Sequence, residues 1–328
     1  MGRVVYILER IHQPLSHMTS RAVLTWVFLA VSAWPALAQR APVESFIAIY
    51  DMESGETRVV TSAKTLYEAP NWSPDGEHLI FNSGGKLYRI PVAGGEPVLI
   101  PTGNLNRVIN DHGPSPDGTR IAFTNIGYAD GSVVDGHIYV IPAEGGEPRR
   151  ITNAVPSYWH GWSPDGKELA YCAQRDGNFD IYVISADGGE ERRITTAPGY
   201  DDGPDYSPDG KYIYFNSDRS GTWDIWRIPT GASEAEGVQA ERITSDEYED
   251  WFPHPSPDGK HIVFLSYEPG TEGHPPNRNV QLRALPGDGS GTPRTLLNFF
   301  GGQGTINVSS WSPDSKAFAF VYYRLLEE

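Results

Sequence analysis

Side chains able to do chemistry recur at matching places along this chain of 328 residues. Counting back five positions from the serine of a repeated Ser-Pro-Asp tripeptide gives Glu68, Asn110, Tyr158, Asp202, Trp251 and Asn307. Counting back three gives Pro70, His112, His160, Pro204, Pro253 and Ser309. Three more residues join them: His254, His274 in Glu272-Gly-His-Pro-Pro276 on the long loop from Ser266 to Asn279, and Gln303 in Gly301-Gly-Gln-Gly-Thr305. Such a set could bind a ligand, since aromatics stack on apolar faces while Asp, Asn and Gln take hydroxyls and amides. It could also do acid–base chemistry on saccharides, with Asp202, Glu249 or Asp250 as the acid or base and His160 beside it. A divalent metal is the third possibility, held by His112, His160, His254 or His274 with Asp202 or Gln303, because neutral imidazole and carboxylate suit Zn, Mn or Fe. No two of these histidines stand at a tight local metal-binding spacing, and no cofactor is specified. Against all three stands a plain structural role, in which His112, His160 and His254 hydrogen-bond neighbouring loops.

The elements that position these residues follow from the repeat. Its serines are Ser73, Ser115, Ser163, Ser207, Ser256 and Ser312, so the steps are 42, 48, 44, 49 and 56 residues. A period near 45 is about one four-stranded propeller blade. After each turn comes an apolar run such as His78-Leu-Ile-Phe81 or Tyr212-Ile-Tyr-Phe215, then an aromatic run such as Ile181-Tyr-Val-Ile184. A Gly-rich turn and a run such as Arg192-Arg-Ile-Thr195 complete the unit. These are β-branched and aromatic segments bounded by turn signals, with no helical period. In Ser-Pro-Asp-Gly, proline presets φ at the second position of a type I turn and Asp suits the third. The six repeat aspartates are therefore structural, and Trp72, Trp162 and Trp311 are expected to pack between blades.

The chain ends predict closure. The sixth copy stops after two strands, near Tyr322, and Phe46–Tyr50 and Thr57–Thr61 match the missing third and fourth strands. The expected fold is all-β: a six-bladed β-propeller of four-stranded blades over residues 39–328, its last blade closed by the N-terminal strands. A closed ring leaves only short, protected strand edges.

Residues 1–38 read differently. Met18-Thr-Ser-Arg21 opens a basic stretch, Ala22–Ala33 is an apolar run, and Ala36-Leu37-Ala38 fits a cleavage site, so Met18 is the expected start and Gln39 the mature one. The apolar run is too short to span a bilayer, so no stable membrane insertion is expected after cleavage, and the protein is expected to be exported, periplasmic or secreted. Cys172, the only cysteine, sits in an apolar run and has no internal partner. The net charge is −16; residues 1–38 hold +2 of it (Arg3, Arg10 and Arg21 against Glu9), which leaves −18 on the remainder. That charge, with no basic patch, argues against nucleic-acid partners.

Trp-Ser-Pro-Asp-Gly, Ile-Ala-Phe, Ile-Tyr-Val and Arg-Arg-Ile-Thr together resemble the repeat of the TolB-type propeller family, and the likeness covers residues 45–328. It is a likeness to the propeller alone, without the α/β domain that precedes it in TolB. The propeller of prolyl-oligopeptidase-type peptidases is similar too, but Gly-x-Ser-x-Gly is missing. Ser217-Asp-Arg-Ser-Gly-Thr-Trp223 resembles a sialidase Asp box with the wrong spacing and reads as a hairpin loop. The resemblance implies a binding module that holds a protein segment or an oligosaccharide at its channel mouth. The alternative is a carbohydrate-active lyase or hydrolase, metal-dependent as in the related oligogalacturonate lyases. On the binding reading, changing Asp202 or Gln303 to Ala is expected to abolish binding and leave folding almost untouched.

Overall fold

The computed structural model describes residues 42–129 and 132–326; the leader assigned to residues 1–38 lies outside them. Among the described residues six antiparallel sheets follow one another along the chain, five of them four-stranded and in sequence order. Their inner strands are Glu68–Trp72, Val108–Pro114, Ser157–Trp162, Asp201–Tyr206 and Glu249–Pro255, which define blades 1 to 5. Blade 6 is made by both ends of the chain. Val43–Asp51 lies between Thr57–Ala63 and Ala317–Leu325, in a register that runs from Val43 opposite Leu325 to Asp51 opposite Ala317. Phe46 stacks on Tyr322 (4.7 Å between centroids) and Tyr50 on Phe318 (5.2 Å), so aromatic contact reinforces the ladder. The ring closes on blade 1 through Ala69 N–H to the Gly304 carbonyl (2.7 Å) and Asn71 Nδ2 to the Ser309 carbonyl (3.1 Å).

The repeat turn forms as its residues dictate. In each copy the fourth residue donates its N–H to the serine carbonyl, from Gly76 to Ser73 through Ser315 to Ser312. The five glycines hold φ between 68° and 78°, which they adopt without steric cost. Ser315, in the sixth copy, takes the same left-handed region at 62° and offsets its strain by accepting the Asp258 N–H at 2.9 Å. The serine is the hub of the turn. Ser163 Oγ donates to Asp165 (2.7 Å) and accepts from the N–H groups of Lys167 (3.1 Å) and Glu168 (2.9 Å). Ser163→Ala is therefore expected to lower stability by about 1–3 kcal/mol, measured by urea unfolding. An unchanged midpoint would show that proline and glycine suffice.

Blades 2, 3 and 4 also lock the third strand to the segment that follows it. The Ile181 N–H donates to Thr195 Oγ1 (2.9 Å), as Ile138 does to Thr152 and Ile225 to Thr244, and Arg193 pairs with buried Asp180 as Arg242 does with Asp224. Two of the three turn tryptophans bind the neighbouring blade as expected: Trp162 Nε1 donates to the Gly113 carbonyl and Trp311 Nε1 to that of His254. Trp72 bonds within its own turn instead. Cys172 is fully buried, and burial pushes its thiol far above the usual range, so it is inert. Ser217–Asp224 is a hairpin loop, as its spacing suggested.

Two local departures shape the channel. The five inner strands break register at nearly the same place, for example between Asp202 and Asp205 and between Trp251 and His254. The residue four before the serine takes a positive φ in three blades: Ala69 (49°), Gly203 (59°) and Phe252 (56°). This is a repeated bulge, which re-aims side chains at the channel. The innermost segment of blade 6 forms no full strand; it meets Ala317–Leu325 through the Trp311–Phe318 bridge and the bonds from Ala319 N–H to Ser310 and from Val321 N–H to Thr305. Its Ile306 and Asn307 carbonyls are taken instead by His254 Nε2 of blade 5 (2.9 Å) and His160 Nδ1 of blade 3 (3.3 Å).

Candidate binding site at the channel mouth

The N-terminal ends of the inner strands, with the loops at that rim, bring much of the expected set together. Asp202 is the centre. Its Oδ1 accepts from His160 Nε2 at 3.1 Å and from the Gly203 N–H at 2.8 Å, and its Oδ2 lies 3.8 Å from His274 Nε2. His274 arrives on the loop between Tyr267 and Pro276, and its Nδ1 meets Gln303 Oε1 closely. Gln303 also accepts from Asn307 Nδ2 (3.2 Å), and Asn307 Oδ1 accepts the Gly304 N–H (2.7 Å). Blades 3, 4, 5 and 6 thus meet in one hydrogen-bonded group. Blades 1 and 2 form a second group: Glu68 Oε2 accepts from Asn82 Nδ2 (3.1 Å), and Asn82 Oδ1 faces His112 Nε2 (3.2 Å).

Electrostatics sets the state of each group. Burial pushes His160 down, but the hydrogen bond and charge of Asp202 outweigh it, so His160 titrates above its ordinary value. Burial pushes Asp202 up, and His160 outweighs that in turn, leaving the carboxylate below its usual range. Both ring nitrogens of His160 face acceptors, the arrangement of an imidazolium paired with a buried carboxylate. His112, with no such partner, is pushed down by burial to about 3 and stays neutral. Burial also lowers His274.

This geometry bears on the chemistries considered from sequence. Both ring nitrogens of His160 face acceptors, Asp202 and the Asn307 carbonyl, so no lone pair is open for a proton or a metal. His254 is engaged in the same way, between Asp205 Oδ2 (3.0 Å) and the Ile306 carbonyl (2.9 Å). Glu249 caps local backbone, accepting from the N–H groups of Trp223 (2.8 Å) and Gly270 (2.9 Å). Asp250 is buried against Ser266 (2.6 Å) and Arg283 (3.3 Å), and burial raises it to about 7. Among the described residues, the group with ligand atoms at metal spacing is Asp75, Glu77 and His78, at the opposite, turn end of the inner strands. The expectation that Asp202→Ala leaves folding almost untouched needs correcting, because Asp202 is the counter-charge of a buried imidazolium.

Two features were not singled out from sequence. One is Asp111, 5 % exposed, four residues before its repeat serine and within electrostatic reach of His160, Asp202 and Glu68. Its column, four before the serine, was the signal that could have found it. The other is an aromatic arc around the rim: Phe179, Tyr200, Trp223, Trp251 and His274, with successive centroids 3.8–5.5 Å apart. Tyr158 extends it beside Phe179, and Phe252 bridges His274 and His160.

Comparison with known proteins agrees with this architecture. Residues 153–281 match the TolB beta propeller domain family. The uncharacterized protein Atu1656 of Agrobacterium fabrum is 47 % identical over 282 residues, covering 86 % of this chain and 93 % of that protein. A solved structure from Agrobacterium tumefaciens, provisionally named TolB, is 47 % identical with a TM-score of 0.80 over 87 % of this chain and 99 % of that one. TolB of Acinetobacter baumannii shares the fold at 19 % identity and a TM-score of 0.60, over 80 % of this chain and 65 % of that one. Sharing repeat, ring and nearly its whole length with such relatives, the chain belongs to the TolB-like β-propeller family.

Proposed function

We propose that this protein is an exported binding module that holds an extended protein segment at the mouth of its channel. The observation that carries the reading is a concentration of buried polar groups on the inner strands without a protein partner. Asn71 Oδ1, Asn110 Nδ2, His112 Nδ1 and Trp251 Nε1 are all buried and make no hydrogen bond to the described chain. Buried polar groups cost stability unless something satisfies them, and an extended backbone offers donors and acceptors at regular intervals. The adjoining aromatic arc gives side chains an apolar surface. The committed nitrogens of His160 and His254 favour holding over catalysis.

A peptide array and a glycan array probed with the purified protein test this. Retention on peptides and not on glycans is expected; retention on saccharides alone would move the site to carbohydrate recognition. Export is supported by the Met18–Ala38 leader pattern. No helix among the described residues is long and apolar enough to cross a membrane. N-terminal sequencing of protein recovered outside the cytoplasm of an expressing bacterium is expected to begin at Gln39, and an intact N-terminus would refute export by this leader.

A further inference from the structure

The acidic side of the mouth says what an incoming segment must offer, an inference that rests on the protein-segment reading above. Asp111 is almost wholly buried, and its carboxylate accepts no hydrogen bond from any described residue. The titratable groups around it are Glu68 of blade 1, Tyr158, His160 and Cys172 of blade 3, and Tyr200 and Asp202 of blade 4. His160 is the one cation among them, and its two ring nitrogens are already committed to Asp202 and Asn307. The carboxylate of Asp111 is thus left without a donor, and burial pushes it up to about 7, with Asp202 and Glu68 adding to the effect. Asn110, next to it, leaves its amide nitrogen unpartnered as well. Tyr158 and Tyr200, which lie within reach of Asp111, belong to the aromatic arc.

We propose that the channel mouth recognises a cationic side chain of the bound segment, a guanidinium or an ammonium, with Asp111 as the anchor and Tyr158 and Tyr200 covering its apolar stem. A buried carboxylate without a donor gains most from a group that brings both charge and N–H donors, and aromatic faces attract the same group. A bare divalent ion fits less well. Asp202 is already engaged by His160 and Gly203, and no group of histidines and carboxylates at metal spacing occurs at this end of the ring among the described residues.

The test uses the purified protein and an array of random decapeptides, in which every arginine-containing peptide is paired with its citrulline isostere. The best pair is then titrated by fluorescence polarisation, in EDTA and in millimolar calcium. Citrulline is expected to weaken binding about tenfold or more, the scale of one charge-assisted hydrogen bond. Asp111→Asn is expected to weaken the arginine peptide by a similar factor and to leave the citrulline peptide unchanged. Binding of the arginine peptide is expected to weaken as pH falls below about 7, as Asp111 takes up its proton.

Folding is checked in the same variant. A carboxyl raised in the folded state destabilises it once ionised, so Asp111→Asn is expected to raise the thermal midpoint at pH 8 and not at pH 4. Equal binding of the paired peptides, or indifference to Asp111→Asn, would overturn the cation proposal while leaving the protein-segment reading intact. Binding of no peptide would overturn both. Saturable calcium binding lost in Asp111→Asn, without a preference for arginine, would assign the site to a metal and overturn the proposal.

Discussion

A chain lacking residues 39–52 is expected not to fold, although the deletion leaves all six repeat turns in place. Those residues include Val43–Asp51, the strand that fills the middle of blade 6. Without it Ala317–Leu325 becomes an open edge, Thr57–Ala63 loses its only partner in the sheet, and Phe318 and Phe320 lose their cover. An exposed edge of that length also invites aggregation. Ile47 and Ala48 are fully buried, and Ile47 packs with Leu79 and Phe81 of blade 1, so the strand joins two blades as well as completing one. The milder variant Ile47→Ala is expected to cost about 2–5 kcal/mol, read from denaturant midpoints. A peptide of residues 42–63 added to the truncated chain is expected to restore the near-ultraviolet circular dichroism of the intact protein. A truncated chain that unfolds cooperatively at the wild-type midpoint would show that closure contributes little.

Asp202→Ala is expected to be the most destabilising change at the channel mouth. It leaves His160 buried, with its Nδ1 hydrogen bond to the Asn307 carbonyl but without its counter-charge. Breaking a buried pair from one side costs about 3–5 kcal/mol. The pH dependence has a definite sign. His160 is raised in the folded state, so its part of the stabilisation is complete below about 6.5 and is lost as pH climbs through the folded value. Asp202 is lowered, so its part is present above about 3.8 and is lost as pH falls through its folded value. The variant should therefore differ most from wild type near pH 5 and least at strongly alkaline pH. Urea titrations at pH 5 and pH 9.5 measure this. A deficit that is the same at both would mean that packing, not the ion pair, is what the substitution removes. In a double-mutant cycle with His160→Ala, the two losses are expected to be less than additive.

Both predictions concern residues whose importance differs in how far it could be read along the chain. Blade closure was legible in the sequence, because strand character and turn chemistry are local. Ser-Pro-Asp-Gly sets its own φ angles, Phe46–Tyr50 is a short apolar and aromatic run like Ile138–Ile141 and Ile181–Ile184, and six turns imply six sheets whatever the rest of the chain does. The histidines, Asp202 and Gln303 could be nominated from their columns before the serine. Their partners could not, since His160 binds residue 202 of one blade and the carbonyl of residue 307 of another. Asp111 is hidden for a specific reason. The columns five and three before the serine follow the alternation of a regular strand, and the inner strand of blade 2 breaks register between Val108 and His112. The repeat, the number of blades and the way the ring shuts are written along the chain, in local turn and strand chemistry. The tertiary structure alone decided which polar groups are satisfied across the channel and which are left for a ligand, because those contacts join residues that only the closed ring brings together.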